Sequence, residues 1–122
     1  MPGSAMVFTE ITHGTIKKIK AAWTSDDTTG DVSGTTDNVY FGRICGAITV
    51  PDGVAVPSAA YDIAVNDNDS VDVALGALAN RSATDTEYVA EASMAGVAHS
   101  KLTIAITAAG NSKKGTLYLH IR

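Results

Sequence analysis

Three histidines (His13, His99, His120), the single cysteine Cys45 and the acidic run Asn66, Asp67, Asn68, Asp69, Ser70, Val71, Asp72 are the positions through which this 122-residue chain could do chemistry. Hydrolysis needs a nucleophile beside a base and an orienting acid, or two carboxylates facing across a cleft. The histidines sit in unrelated local contexts, and no serine occupies a Gly-x-Ser-x-Gly elbow. Zinc needs closely spaced sulfur and imidazole ligands, a spacing these four residues lack. Oxygens at Asp67, Asp69 and Asp72 suggest Ca²⁺, yet the segment lacks the central glycine and distal glutamate of a helix–loop–helix calcium loop. It reads as a solvated turn held by Asx hydrogen bonds. No glycine-rich segment has a phosphate-cradling pattern. The sequence therefore assigns no catalytic residue, cofactor or metal ligand, and the chain reads as a non-enzyme.

What remains is surface chemistry. The net charge of −4 is unevenly spread: residues 24–75 hold nine aspartates against the lone base Arg43, a local −8, while the flanks are together +4. Nucleic acid wants a basic face with stacking aromatics. Lys17, Lys18 and Lys20 form the densest basic cluster, with only Trp23 nearby, so nucleic acid is not expected as a partner. Nor is a membrane, since no run approaches the roughly 20 apolar residues of a spanning helix. Polarised charge does allow an acidic loop of one copy to meet a basic strand of another. A lone cysteine rules out an internal disulfide, so stability must come from packing or association.

The elements that would position these residues are strands. The chain is 45% hydrophobic and 18% charged, with eleven scattered glycines and short Thr/Val/Ile/Tyr-rich runs between turn clusters. Residues 1–5 read as a flexible leader and 6–122 as a single domain. Strands are expected over 6–12 and 15–24, with Ile19, Ala21 and Trp23 on the core face and a bulge near Lys17 because Ile16 breaks the parity. A polar loop covers 25–37. A long strand over 38–50 carries Tyr40, Ile44, Ile48 and Val50 on one face. Tyr61, Ile63 and Val65 alternate inward, 71–80 hesitates between short helix and strand, and 86–90 is a strand followed by a small-residue loop over 92–100. The segments 101–107 and 116–122 alternate most cleanly and are expected to form an antiparallel hairpin. Seven or eight such strands with long polar loops predict an all-β fold, an antiparallel β-sandwich or jelly-roll-like barrel.

Three stretches carry a resemblance. They are Lys17-Lys18-Ile19-Lys20-Ala21-Ala22-Trp23-Thr24-Ser25-Asp26, the run from Tyr61-Asp62-Ile63-Ala64-Val65-Asn66-Asp67-Asn68-Asp69 through Val71-Asp72-Val73 to Asn80-Arg81-Ser82, and the ending Gly115-Thr116-Leu117-Tyr118-Leu119-His120-Ile121-Arg122. In these the chain resembles the head decoration, or cement, proteins of tailed bacteriophages. The resemblance implies a virion structural protein on the outer head surface, bound between major capsid subunits and associating with copies of itself. It brings no catalytic residues. A tail or connector subunit and a carbohydrate-recognising β-sandwich are the competing readings, the latter disfavoured while most aromatics are needed for the core.

The interface expected on this reading comprises Met6, Val7 and Phe8, a compact apolar triplet too rich for one short strand to bury, with Lys17, Lys18, Lys20, Asp26 and Asp27 supplying cross-copy charge pairs. Deleting residues 1–8 is expected to weaken association and leave the monomer fold intact.

Overall fold

The computed structural model describes residues 5–122; the proposed leader, apart from Ala5, lies outside the described residues. Among the described residues there are nine strands: β1 (Ala5–His13), β2 (Ile16–Thr24), β3 (Val32–Thr35), β4 (Tyr40–Pro51), β5 (Asp62–Asn66), β6 (Glu87–Ala90), β7 (Gly96–Ser100), β8 (Thr103–Thr107) and β9 (Lys114–Ile121). A single 3-10 turn, Glu91–Ser93, joins β6 to the segment before β7. The larger sheet runs β1-β2-β9-β4-β6, with β7 also paired to β4, and the smaller runs β3-β8-β5. Every pairing is antiparallel, as expected of a β-sandwich.

The core follows from two-residue alternation. Ile19, Ala21 and Trp23 of β2, Leu117, Leu119 and Ile121 of β9, and Ile104 and Ile106 of β8 are buried, with Tyr61, Ile63 and Val65 from the β5 region. Trp23 and Tyr61 meet with ring centroids 5.5 Å apart. Burying such side chains contributes about 1.5–3 kcal/mol each, the main term that offsets chain entropy here.

Several expectations need correcting. The clean alternation of the last two strands does not make a hairpin, for β8 belongs to the small sheet and β9 to the large one. Between them Ala108, Gly110 and Ser112 take positive φ, and Ala109 is pinned by accepting from Ser58 N–H and donating to Gly30 O. The link therefore arches across the sandwich, and both apolar rows meet one core. Lys17 carries no bulge, because the β1–β2 register is unbroken from Ala5 opposite Thr24 to His13 opposite Ile16. Ile16 simply faces outward beside His13. The register shift lies instead in β4, where Ile44 opposes Ile121 and Gly46 opposes His120. Cys45 is the extra residue, so Tyr40 and Ile44 are buried but Ile48 and Val50 turn to the outer face, and Ala47 and Thr49 take the inward places.

The polar loop over 25–37 contains β3, whose Gly34 lies against Met6 and Phe8. The loop over 92–100 contains β7. Residues 73–78 are consecutive turns that follow a single β-bridge between Asp72 and Asn66, so 71–80 forms neither helix nor an extended strand. The Asp72 carboxylate accepts from the N–H groups of Val65, Ala74 and Gly76, and Leu75, Gly76 and Asn80 take positive φ, which interrupts any helical ladder.

Candidate functional site

The first expected interface segment is β1, which ends the large sheet. Its side chains alternate: Met6, Phe8 and Glu10 turn inward, opposite Trp23, Ala21 and Ile19, while Val7 and Ile11 are 65% and 41% exposed. Met6, Val7 and Phe8 are thus split between two jobs. Met6 and Phe8 pack on the core and Val7 faces solvent, so deleting residues 1–8 would strip packed side chains as well as the edge. The Glu10 carboxylate is a clamp, accepting from Asp37 N–H (3.0 Å), Asn38 N–H (3.1 Å) and the Tyr40 hydroxyl (2.6 Å). Burial, then the Glu10 carboxylate, push the Tyr40 phenol well above its usual range. Sequence reading missed Glu10; an acid at the same parity as Met6 and Phe8 was the available signal.

The outward edge of β1 has no partner strand among the described residues. Among the described residues, no backbone hydrogen bond beyond the β1–β2 ladder involves residues 5–13. This edge is nine residues long, whereas β3, β5 and β6 have four or five.

The lysine cluster is also split by parity. Lys17 points away from its neighbours, donating to Phe41 O at 3.2 Å with its ammonium 5.3 Å from the Phe41 ring centroid. Lys18 and Lys20 stand on the outer face of the large sheet, 5.2 Å and 6.0 Å from the Tyr118 ring centroid. Asp26 and Asp27 lie beyond the far end of β2 from Lys18. The Asp26 carboxylate accepts from Thr28 N–H (2.9 Å) and Thr29 N–H (3.0 Å), which lowers its pKa from the ordinary 3.8. Asp27 is exposed and accepts from the Thr28 hydroxyl at 3.1 Å. β2 ends at Thr24, and among the described residues no ion pair joins Asp26 or Asp27 to Lys17, Lys18 or Lys20.

Four of the seven aromatics serve the core, Phe8 packing against it beside the three that are buried, and three stand on the surface. Trp23, Tyr40 and Tyr61 are buried, but Tyr88 and Phe41 are 63% and 62% exposed and Tyr118 stands half-buried on the outer face. Tyr88 opposes Ile48, which opposes Tyr118, which opposes Lys20, so these four residues form one row across β6, β4, β9 and β2.

The acidic run behaves as a set of turns. The Asp67 carboxylate accepts from Asp69 N–H (2.9 Å) and Val71 N–H (3.0 Å). Among the described residues, no group of three or more His, Cys, Asp or Glu is placed to hold a metal ion. His13 and His99 are exposed on different strands, and His120 lies half-buried on the outer face of β9.

No protein-family model and no curated protein matches the chain. One solved structure, from a study of a low-affinity xylan-binding module of the gut symbiont Roseburia intestinalis, covers 99% of this chain and 88% of its own at 6% identity, with a TM-score of 0.40. A likeness of that size carries no argument about ligand.

Proposed function

We propose that the protein is a bacteriophage virion structural subunit that associates with itself through β1 and coats the outer head surface between major capsid subunits. The observation that carries the reading is the open edge of β1: a nine-residue strand paired with β2 on one side only among the described residues, with Val7 and Ile11 exposed. Natural edges are commonly guarded by lysine, proline, a bulge or an inward charge. β1 has none of the first three, and its inward acid, Glu10, is committed to residues 37–40.

A second copy fits this edge in a defined way. Antiparallel pairing about a two-fold axis normal to the sheet keeps outward side chains facing outward, so partners must share parity. Full overlap of β1 with its copy places Thr9 on the axis and sets Val7 of one copy opposite Ile11 of the other, twice. Such apolar cross-strand pairs contribute about 0.2–1 kcal/mol each, on top of newly paired backbone groups. The sequence resemblance supports the phage address, and the polarised charge supports contact with an oppositely charged shell or neighbour.

Two measurements test the proposal. Sedimentation velocity should show a concentration-dependent oligomer that the pair Val7→Lys and Ile11→Lys reduces to monomer with an unchanged circular-dichroism spectrum. The wild-type protein should co-sediment with undecorated heads, and imaging should place it over the shell. A monomer at every concentration refutes the edge assignment; failure to bind heads, or density confined to a tail or one vertex, refutes the decoration role.

A further inference from the structure

The outer face of the large sheet differs chemically from the rest of the molecule. Its outward positions are fixed by register: alternate residues from Ala5 to His13 on β1, Ile16 to Thr24 on β2, Lys114 to His120 on β9, then Gly46, Ile48 and Val50 on β4, and Tyr88 and Ala90 on β6. None of these is Asp or Glu, although the chain has thirteen acidic residues and a net charge of −4. Lys18, Lys20, Lys114 and His120 are among them. The carboxylate that follows β6, Glu91, is already shared by Arg43 at 2.8 Å and Arg122 at 3.2 Å.

Within this face Tyr88 lies across the bare backbone of β4. A Cβ on Gly46 would meet the Tyr88 hydroxyl at 2.7 Å and its ring at 3.0 Å, and the hydroxyl reaches Cys45 O at 3.4 Å. The missing side chain at Gly46 lets the ring lie close to the sheet, with the residue still 63% exposed. Tyr118, by contrast, serves the two lysines whose ammonium groups approach its ring. Cation–π contact restrains those long side chains beside the platform. Three strand spacings of about 4.8 Å separate β6 from β2, so the backbones that carry Tyr88 and the two lysines lie roughly 14 Å apart, and the Tyr88 ring over β4 and the ammonium groups beside Tyr118 both reach into that interval.

We infer that this face binds an acidic oligosaccharide. A pyranose ring lays its C–H face on Tyr88, and carboxylate or sulfate groups of the same or adjoining sugars take charge-assisted bonds from Lys18, Lys20 and His120. The inference does not depend on association through β1. Single-stranded nucleic acid fits less well, because it needs several stacking rings and many phosphate contacts, and Tyr118 is already flanked by lysines in a net-acidic protein. An acidic peptide would satisfy the lysines but makes no use of a ring laid open over Gly46.

The test is calorimetric titration with oligogalacturonate as the carboxylated probe, a heparin-derived hexasaccharide as the sulfated one, xylohexaose as the neutral control and poly-glutamate as the acidic-peptide control. At least one acidic sugar should bind at low salt and weaken at about 0.5 M NaCl, where screening shortens to a few ångströms. Binding should fall about tenfold or more in Tyr88→Ala and in the pair Lys18→Gln and Lys20→Gln, which is about 1.4 kcal/mol or more, and persist in Tyr88→Phe. Because Tyr88 lies on a short strand, each variant is checked by its amide spectrum, and the Phe variant keeps the ring if the Ala variant unfolds. No binding of either acidic sugar overturns the inference. So does poly-glutamate binding as tightly with Tyr88→Ala indifferent, or xylohexaose binding as well as the charged probes.

Discussion

Replacing Glu10 by alanine tests whether β1 is held by one carboxylate. The side chain accepts three hydrogen bonds, two from the exposed N–H groups of Asp37 and Asn38 and one from the partly buried Tyr40 hydroxyl at 2.6 Å. Exposed bonds of this kind are worth about 0.5–1 kcal/mol each, and a partly buried hydroxyl bonded to a charged acceptor about 1.5–3 kcal/mol. Glu10→Ala should therefore cost about 2.5–5 kcal/mol, and Tyr40→Phe less, since it leaves the carboxylate its two backbone donors. In a domain of this size 1 kcal/mol moves the melting temperature by roughly 3–5 °C. Urea denaturation of the wild type, both single variants and the double variant gives a cycle whose coupling should be about 1–2 kcal/mol. A Glu10→Ala loss below about 0.5 kcal/mol, or strict additivity with Tyr40→Phe, would refute the clamp.

Gly115 sits where Trp23 crosses β9, and an added Cβ would lie 2.5 Å from Trp23 Cζ2, so Gly115→Ala should overpack the core and cost about 1–3 kcal/mol by urea denaturation. Asp26 and Asp52 are both held below the ordinary 3.8 by backbone N–H donors, Thr29 and Thr28 for the first and Ala55 and Val54 for the second. A depressed carboxylate contributes stability that is present above its unfolded value and lost as pH falls through the lower folded one. Melting temperature should thus drop on acidification below pH 3.8, and the pair Asp26→Asn and Asp52→Asn should flatten that drop. Val7→Lys with Ile11→Lys should leave the melting temperature of dilute protein within about 2 °C, since both residues face solvent and surface changes usually shift stability by under about 0.5 kcal/mol.

Local pattern in the sequence determined the class of fold and most of its buried rows. Ile19, Ala21 and Trp23, then Tyr61, Ile63 and Val65, then Leu117, Leu119 and Ile121 alternate because strand side chains change face at every residue, and that period survives any arrangement of the sheets. Asx turns were legible at residues 66–72 for the same reason, since an aspartate bonds the backbone two residues on wherever it stands. Which strands pair was decided elsewhere. The β8–β9 arch depends on Gly30 and Ser58, far along the chain, and the β4 bulge at Cys45 inverts the facing of Ile48 and Val50 only because β9 opposes it. The candidate sites share that origin: Glu10 finds its donors 27 to 30 residues away, Lys17 parts from Lys18 once the strand has two faces, and Tyr88 meets Gly46 across a sheet. Alternation is a property of each strand alone, whereas a face is assembled from strands distant in sequence, and only tertiary packing selects that assembly.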